Sequence, residues 1–438
     1  MLLIRNGRVL RGKHWTRANI IISDSGKIVD VFRSVNAKGY LLSKVDTIYN
    51  ARGYLIFPGI IDMHVHFREP GLEWKEDFES GSKAAIAGGV TIVADMPNNK
   101  PPINSLERYL RKIKLAEKKS YCDFLLYIGL PEDPSQLLKF LEEKDNIPMP
   151  AGVKVFMYNP KEENTVLNKD LPKDFLYVFH AEDYRYFTEI SDCNDYSAFE
   201  KSRPKEAEIS AIQKIVGILE KRDLRVHVAH LSSYEGLLEI VRAKKKRFKI
   251  STEVTPHHLL LTKDHGRRLG GIAKCYPPLR SELDRRMLFR GLLQGYIDAI
   301  ASDHAPHSLE EKMKDLCDAE PGITGVQLLL PLIFTLAKKA HVKNFRPIIR
   351  ALSENPARIL GLKKRGRIKI GYYGDLVIFN HRKEWKISPE VLLSKSRVTP
   401  YEGMKVKGWV LATFLRGRLV YENGEFLERI GICARSVQ

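Results

Sequence analysis

No stretch of this 438-residue chain is long and apolar enough to cross a membrane as a helix. The longest apolar run, about Val326 to Ala337, is interrupted by Gln327 and Pro331 and reads as a buried helix. Arg5 and Gly7 stand where an export signal needs its apolar segment, so none is expected and the cytoplasm is the expected location. Cysteine is scarce. The five residues Cys122, Cys193, Cys275, Cys317 and Cys433 are widely spread and form no Cys-x-x-Cys pair. That spacing excludes a zinc ribbon and argues against a disulfide framework, so reduced thiols are expected. Acidic residues are also short, 53 against 72 basic ones, for a formal charge of +19. The basic clusters at 242–249, 338–350 and 363–369 are short and lie on or just after helical stretches. Solvated helix faces explain them, and neither a nucleic-acid nor a membrane partner is expected. The positive field does suit a small anionic substrate, which it draws in. No internal repeat suggests a solenoid.

What is present describes a soluble globular protein, 44% hydrophobic and 29% charged, with room for one large domain and a smaller one. Residues 1–56 alternate β-like runs with turns at Asn6-Gly7 and Asp24-Ser25-Gly26, without helical periodicity. From 57 to 362 the rhythm becomes strand, loop, helix. Eight apolar strands are predicted at 59–67, 91–96, 123–130, 152–157, 176–181, 225–231, 249–255 and 298–304. The clearest helix is predicted over Lys205 to Arg222, where Ile209, Ile212, Ile215, Val216 and Leu219 make one stripe. Gly88-Gly89 should end the first helix, and Asp133 should cap another before Pro134. Eight strands alternating with helices over this length predict an α/β fold, a (β/α)8 TIM-like barrel, with a doubly wound open sheet as the alternative. After 363 the β pattern returns. The two β-rich ends, 1–56 and 363–438, should pair into one small β-sandwich domain, with the barrel over 57–362 inserted between them.

The chemistry gathers where a barrel places its active site, at the C-terminal strand ends. His64 and His66 are two apart on the first strand, so both imidazoles face one point. Two neutral imidazoles aimed together suit a divalent transition metal. Arg68 follows, then Asn98 beyond strand two, Lys154 on strand four, His180 on strand five and His230 on strand six. Strand eight delivers Asp303, then His304 and His307. Any one of these has an ordinary structural explanation; together at the ends of several strands they do not. A protonated Lys154 would be repelled from metal ligands, and burial favours its neutral form. A neutral amine can take up carbon dioxide as a carbamate, whose two oxygens can bridge two metals. The set would then divide, with His64, His66 and Asp303 on one ion, His180 and His230 on the other, and carboxylated Lys154 spanning both. Two ions roughly 3.5–4 Å apart can share a hydroxide and polarise a carbonyl oxygen.

The stretches DMHVHFREPG, ADMPNN, GVKVFM, the His180 and His230 strands, EVTPHH, PPLR and ASDHAPH followed by PGITG run in order from about 57 to 330. In them the chain resembles the cyclic amidohydrolases of the amidohydrolase superfamily, and among these the dihydroorotases. The resemblance implies a hydrolase with two Zn2+ ions per chain, bridged by N6-carboxylated Lys154. It would interconvert dihydroorotate and N-carbamoyl-aspartate through a zinc-bound hydroxide in pyrimidine biosynthesis. Asp303 would be the catalytic base, and Arg68, Asn98 and His307 would hold the substrate carboxylate. Tyr276 stands before PPLR where the family has Asn, and Gln327 where Glu is frequent. His257, His258 and His304 would play supporting roles. Allantoinase, hydantoinase and a non-catalytic assembly relative are the alternative readings. A homo-oligomer and association with aspartate transcarbamoylase are the possible partnerships.

Overall fold

The computed structural model describes residues 1–33 and 39–437. Five strands come first: β1 (Leu2–Arg11), β2 (His14–Ile22), β3 (Ile28–Phe32), β4 (Thr47–Asn50) and β5 (Leu55–Pro58). A single helical turn, Gly39–Leu42, interrupts them, in a segment without helical periodicity. The barrel strands follow as β6 (Ile60–Val65), β7 (Val90–Asp95), β8 (Asp123–Leu126) with its short continuation β9 (Ile128–Gly129), and β10 (Val153–Phe156). Then come β11 (Leu176–His180), β12 (Arg225–Val228), β13 (Ile250–Val254) and β14 (Ala299–Ile300). Each falls inside a predicted segment except β7, which begins one residue before its own. Their pairings are parallel throughout, and β6, β7, β8 and β13 are buried along their whole length. Near-continuous apolar strands are what a sheet covered on both faces requires. Closure between first and last strand is made at the site itself, where the His66 amide donates to His304 O at 2.8 Å.

The first barrel helix, Phe78–Ala87, begins at an Asp77 capping box and stops at Gly88. Gly89 has φ +80, and a Cβ there would lie 2.8 Å from Val377. The glycine pair therefore both ends the helix and lets it close on the neighbouring sheet. Asp133 caps the turn beginning at Pro134, and the helix predicted over Lys205 to Arg222 spans Lys205–Lys221.

The chain ends with β15 (Leu376–Lys386), β16 (Lys405–Leu415), β17 (Arg418–Glu422) and β18 (Glu425–Phe426). These join the first strands in one nine-stranded sheet, ordered β18-β17-β16-β15-β5-β1-β2-β3 with β4 beside β1. The joint between the two ends is antiparallel, running from Leu376 opposite Pro58 to Phe379 opposite Leu55. Ile4, Ile20, Ile56, Leu376, Ile378 and Phe414 share its core, so each end covers apolar surface that the other exposes. Gln327 couples the barrel to this sheet's far connection by donating to Val391 O at 2.7 Å and accepting from the Leu393 amide at 2.9 Å. A glutamate could not make the first of these bonds, which accounts for the amide.

Cys193 and Cys317 form a disulfide, against the sequence expectation, while Cys122, Cys275 and Cys433 are free and buried. They are 124 residues apart in sequence, but the loops after β11 and β14 meet above the barrel. Spacing along the chain carries no sign of that approach. The Leu316 amide also donates to Cys193 O at 2.8 Å, joining the same two loops.

At the opposite end of the barrel, Asp123 opens β8 within a buried ionic cluster. Arg365, 1% exposed, donates to Asp123 at 2.8 Å and to Asp375 at 2.5 Å, and Arg416 donates to the other Asp123 oxygen. One guanidinium thus ties the barrel floor to the segment entering β15. Arg365→Met should leave two buried carboxylates without their fork and cost about 3–5 kcal/mol, read as a lower urea midpoint.

Candidate metal centre and active site

Four imidazoles, one amine and one carboxylate converge on the C-terminal end of the barrel, all buried. His64 Nε2 and His66 Nε2 each lie 3.2 Å from Asp303 Oδ1, and the three residues offer ligand atoms within 4.8 Å of one another. The His180 and His230 rings are 4.5 Å apart, and His230 lies 5.3 Å from His64. Lys154 Nζ has no hydrogen-bond partner, although its charge acts on all four imidazoles and on Asp303. Every metal-ligand candidate from the sequence is therefore in one place.

Three of the histidines are held through the ring nitrogen that faces away. His64 Nδ1 meets Glu253 at 2.5 Å, His66 Nδ1 meets Asn98 Oδ1 at 2.9 Å, and His180 Nε2 meets Glu182 at 2.6 Å. Each acceptor takes the ring proton and leaves the other nitrogen's lone pair aimed inward. His230 differs, with its Nδ1 buried and unpartnered. Burial holds His64 below the ordinary imidazole range, His66 and His230 well below it, and His180 down to about 4. All four are thus neutral at neutral pH, the form that ligates a metal. Burial also pushes Asp303 up and draws the Lys154 ammonium down to about 8. For Glu182, burial is outweighed by Arg203 and His180, which together hold it down at about 2. Glu253 is likewise kept low, with His64 and His227 overcoming the cost of burial.

This donor set fits a divalent transition metal: inward lone pairs on neutral imidazoles, a carboxylate between two of them, and an orphaned amine. Two of its members hold left-handed backbone, with φ of +36 at His230 and +47 at Asp303, as does Arg68 at +64. Such conformations cost roughly 1–3 kcal/mol each and persist where surrounding structure imposes them.

Beside this centre stands a buried cationic group. Arg68 Nε donates to Pro306 O at 3.2 Å, and its Nη2 lies 2.8 Å from His307 Nε2. His307 Nδ1 faces Lys75 Nζ at 3.1 Å, and an ammonium can only donate. A guanidinium likewise only donates, so His307 has a cationic donor at each ring nitrogen and, when neutral, can accept from only one of them; Nε2 also lies 3.1 Å from Pro321 O. Arg68 and His307 thus stand side by side, with Lys75 on the far side of the ring. Lys75 is held in turn by Glu311 at 2.7 Å, with Glu320 at 3.8 Å. The acidic group around His307 is thus filled by a side-chain cation.

Asn98 is exposed, and its Oδ1 is joined to His66 Nδ1. Tyr276 lies under the Arg203 guanidinium, 3.8 Å from its ring centroid, and Arg203 pairs with Glu182 at 2.7 Å. It therefore backs the His180 acceptor. His258 donates to Pro277 O at 3.2 Å and His304 accepts from the Gly325 amide at 3.1 Å, so both brace loops. His257 has both ring nitrogens buried without a partner.

Sequence reasoning missed Glu253, Glu182, Arg203 and Lys75. Glu182 was within reach, two residues after His180, and Glu253 sits at the end of a strand already identified. Arg203 and Lys75 gave no local signal.

A parallel barrel with this set at its strand ends, and a β sheet shared by both chain ends, is the architecture of an amidohydrolase. The amidohydrolase family description matches residues 55–420, and the chain belongs to that family. Within it the sequence relatives are dihydroorotases. That of Methanothermobacter thermautotrophicus is 37% identical over 93% of this chain and 92% of its own length. That of Carboxydothermus hydrogenoformans is 35% identical over 96% and 98%. Among solved structures, the L-hydantoinase (dihydropyrimidinase) of Arthrobacter aurescens superposes with a TM-score of 0.86 at 26% identity, over 98% of each chain.

Glu253→Ala should strand the buried donors of His64 and His227, at about 1–3 kcal/mol each. It should also weaken divalent-metal affinity by about 10–100-fold, as measured by chelator competition.

Proposed function

We propose that this chain is a dihydroorotase, opening the ring of dihydroorotate to N-carbamoyl-aspartate and closing it again, in cytoplasmic pyrimidine biosynthesis. The observation that carries the reading is the buried Arg68 guanidinium, in contact with His307 and without an ion-pair partner among the described residues, beside the metal-ligand set. Dihydroorotate bears a carboxylate on its ring; allantoin and simple hydantoins do not. A guanidinium fork and an imidazole N–H meet such a group with charge-assisted bonds. The dihydroorotase relatives support the same choice, while the hydantoinase neighbours share the fold.

His64, His66 and Asp303 would hold one zinc ion and His180 and His230 a second, with Lys154 as its carbamate between them. When bound, the pair supplies Lewis acidity, which makes water a nucleophile near neutral pH and polarises the ring carbonyl. Carboxylation suits Lys154 because it removes a buried ammonium that has no acceptor and adds two oxygens in its place. Asp303, in contact with both His64 and His66, would take a proton from the attacking water and pass it to the leaving ring nitrogen. Tyr276 acts at one remove, through Arg203 and Glu182 on His180. Asn98 keeps its amide NH2 free towards the substrate while its oxygen orients His66.

Metal analysis should find about two divalent ions in the wild type and fewer in Lys154→Ala. Full metal content and normal turnover in that variant would refute the carbamate. Arg68→Ala should retain its metals yet lose dihydroorotate turnover by roughly a hundredfold or more, the value of a charged pair left half made. Lys75→Met removes the cation bonded to His307 Nδ1, so it should raise KM for dihydroorotate well before it lowers kcat. A panel of dihydroorotate, allantoin and hydantoin decides the substrate class, and preference for either of the last two defeats this assignment.

A further inference from the structure

A groove of about 1130 Å³ lies where the barrel's helix Leu329–Lys339 meets the nine-stranded sheet, and it shares no lining residue with the strand-end site. Its floor is aromatic. Trp15 packs 5.1 Å from Phe57 and 6.2 Å from Phe345, and Phe334 lies 5.5 Å from Phe345. Trp15 and Trp385 are only half-buried and leave indole surface towards the groove. Around this floor stand Arg8, Lys338, Lys339, Lys343, Lys386, Lys405 and Lys407, against the single acid Glu384. Glu384 is spent on Lys407, at 3.0 Å, and among the described residues the other six cations make no ion pair.

Some of this charge has a local explanation. Lys338 and Lys339 end a helix, where the backbone dipole favours cations. Lys386 and Lys405 have none. They are directly opposite in the antiparallel β15–β16 ladder, a like-charge cross-strand pair that destabilises the sheet it sits in. His381 adds to the picture, because its Nδ1 is buried without a partner. Burial, then Arg382, Arg8, Lys338 and Lys407, hold that imidazole below its ordinary range, so the surrounding field is strongly positive. Uncompensated cations around a concave aromatic floor call for an anion that also carries a flat ring.

We propose that this groove is a second ligand site, for a nucleoside di- or triphosphate. The base would lie against the indole surfaces of Trp15 and Trp385, and the phosphates would bridge the Lys386–Lys405 pair and the lysines at the helix end. Such a ligand brings charge to the one place where the sheet opposes like charges, and ring stacking to the half-exposed tryptophans. A bounded groove near the size range of small-ligand sites favours a mononucleotide over a nucleic-acid strand, which needs a continuing basic track.

The test uses the full chain with ATP and UTP, inorganic tripolyphosphate and a single-stranded oligonucleotide, followed by calorimetry and tryptophan fluorescence. Both triphosphates should bind and change the fluorescence. Lys386→Glu with Lys405→Glu should weaken them at least tenfold without altering the circular dichroism. Trp15→Leu should weaken the nucleotides while leaving tripolyphosphate unchanged. The proposal fails if neither nucleotide binds, or if the charge-reversal pair binds them as the wild type does. Tripolyphosphate binding as tightly as ATP would also overturn it, by removing the base from recognition. So would tighter binding of the oligonucleotide, which would make the groove a nucleic-acid surface.

Discussion

The amine of Lys154 is the point on which the site turns. It is fully buried, lacks any hydrogen-bond acceptor and sits in a field shared by four imidazoles and Asp303. A lone ammonium in such a place is costly, and lysine would be a poor choice for filling space there. The arrangement is stable only if the amine is neutral or converted to an anion. Each outcome needs the surrounding histidines to stay neutral, and burial ensures that they do. The outer carboxylates then have a defined task. Glu253 and Glu182 stay ionised and take the outward ring protons of His64 and His180, so the inward nitrogens are never protonated.

The barrel separates this demanding end from a stabilising one. At its floor, Arg365 and Arg416 hold Asp123 and Asp375 in a closed ionic cluster that joins barrel to sheet. At its mouth, Arg68, His230 and Asp303 hold left-handed backbone, and the chain tolerates those conformations because neighbouring loops fix them. The Cys193–Cys317 bond and the Leu316 amide tie together the loops after β11 and β14, the loops that follow His180 and carry His307.

Much of this was legible in the sequence because it rests on periodicity and on spacing within single strands. The eight barrel strands show as apolar runs, and His64 and His66 share a face because strand side chains alternate. The Gly88-Gly89 stop and the Asp133 cap are likewise local chemistry. What was not legible is contact between distant segments. Glu253 reaches His64 across 189 residues, Lys75 reaches His307 across 232, and Cys193 meets Cys317 across 124. Asn98 shows the same limit in another form. Its position beyond strand two could be read, but its bond to His66 depends on how the loop folds back.

Substrate choice within this family cannot come from the barrel, since a hydantoinase superposes on the chain over 98% of its length. It has to come from groups outside the metal-ligand set. If dihydroorotate is the substrate, Arg68 is the group to supply it. Lys75, the other cation at His307, is paired with Glu311 at 2.7 Å, whereas among the described residues the buried Arg68 makes no ion pair. A carboxylate on the substrate would bring the missing anion with charge-assisted bonds, and a neutral ring substituent would leave the guanidinium uncompensated. Discrimination would then come from that uncompensated cation as much as from the bonds made on binding, which is how specificity is gained against a close analogue.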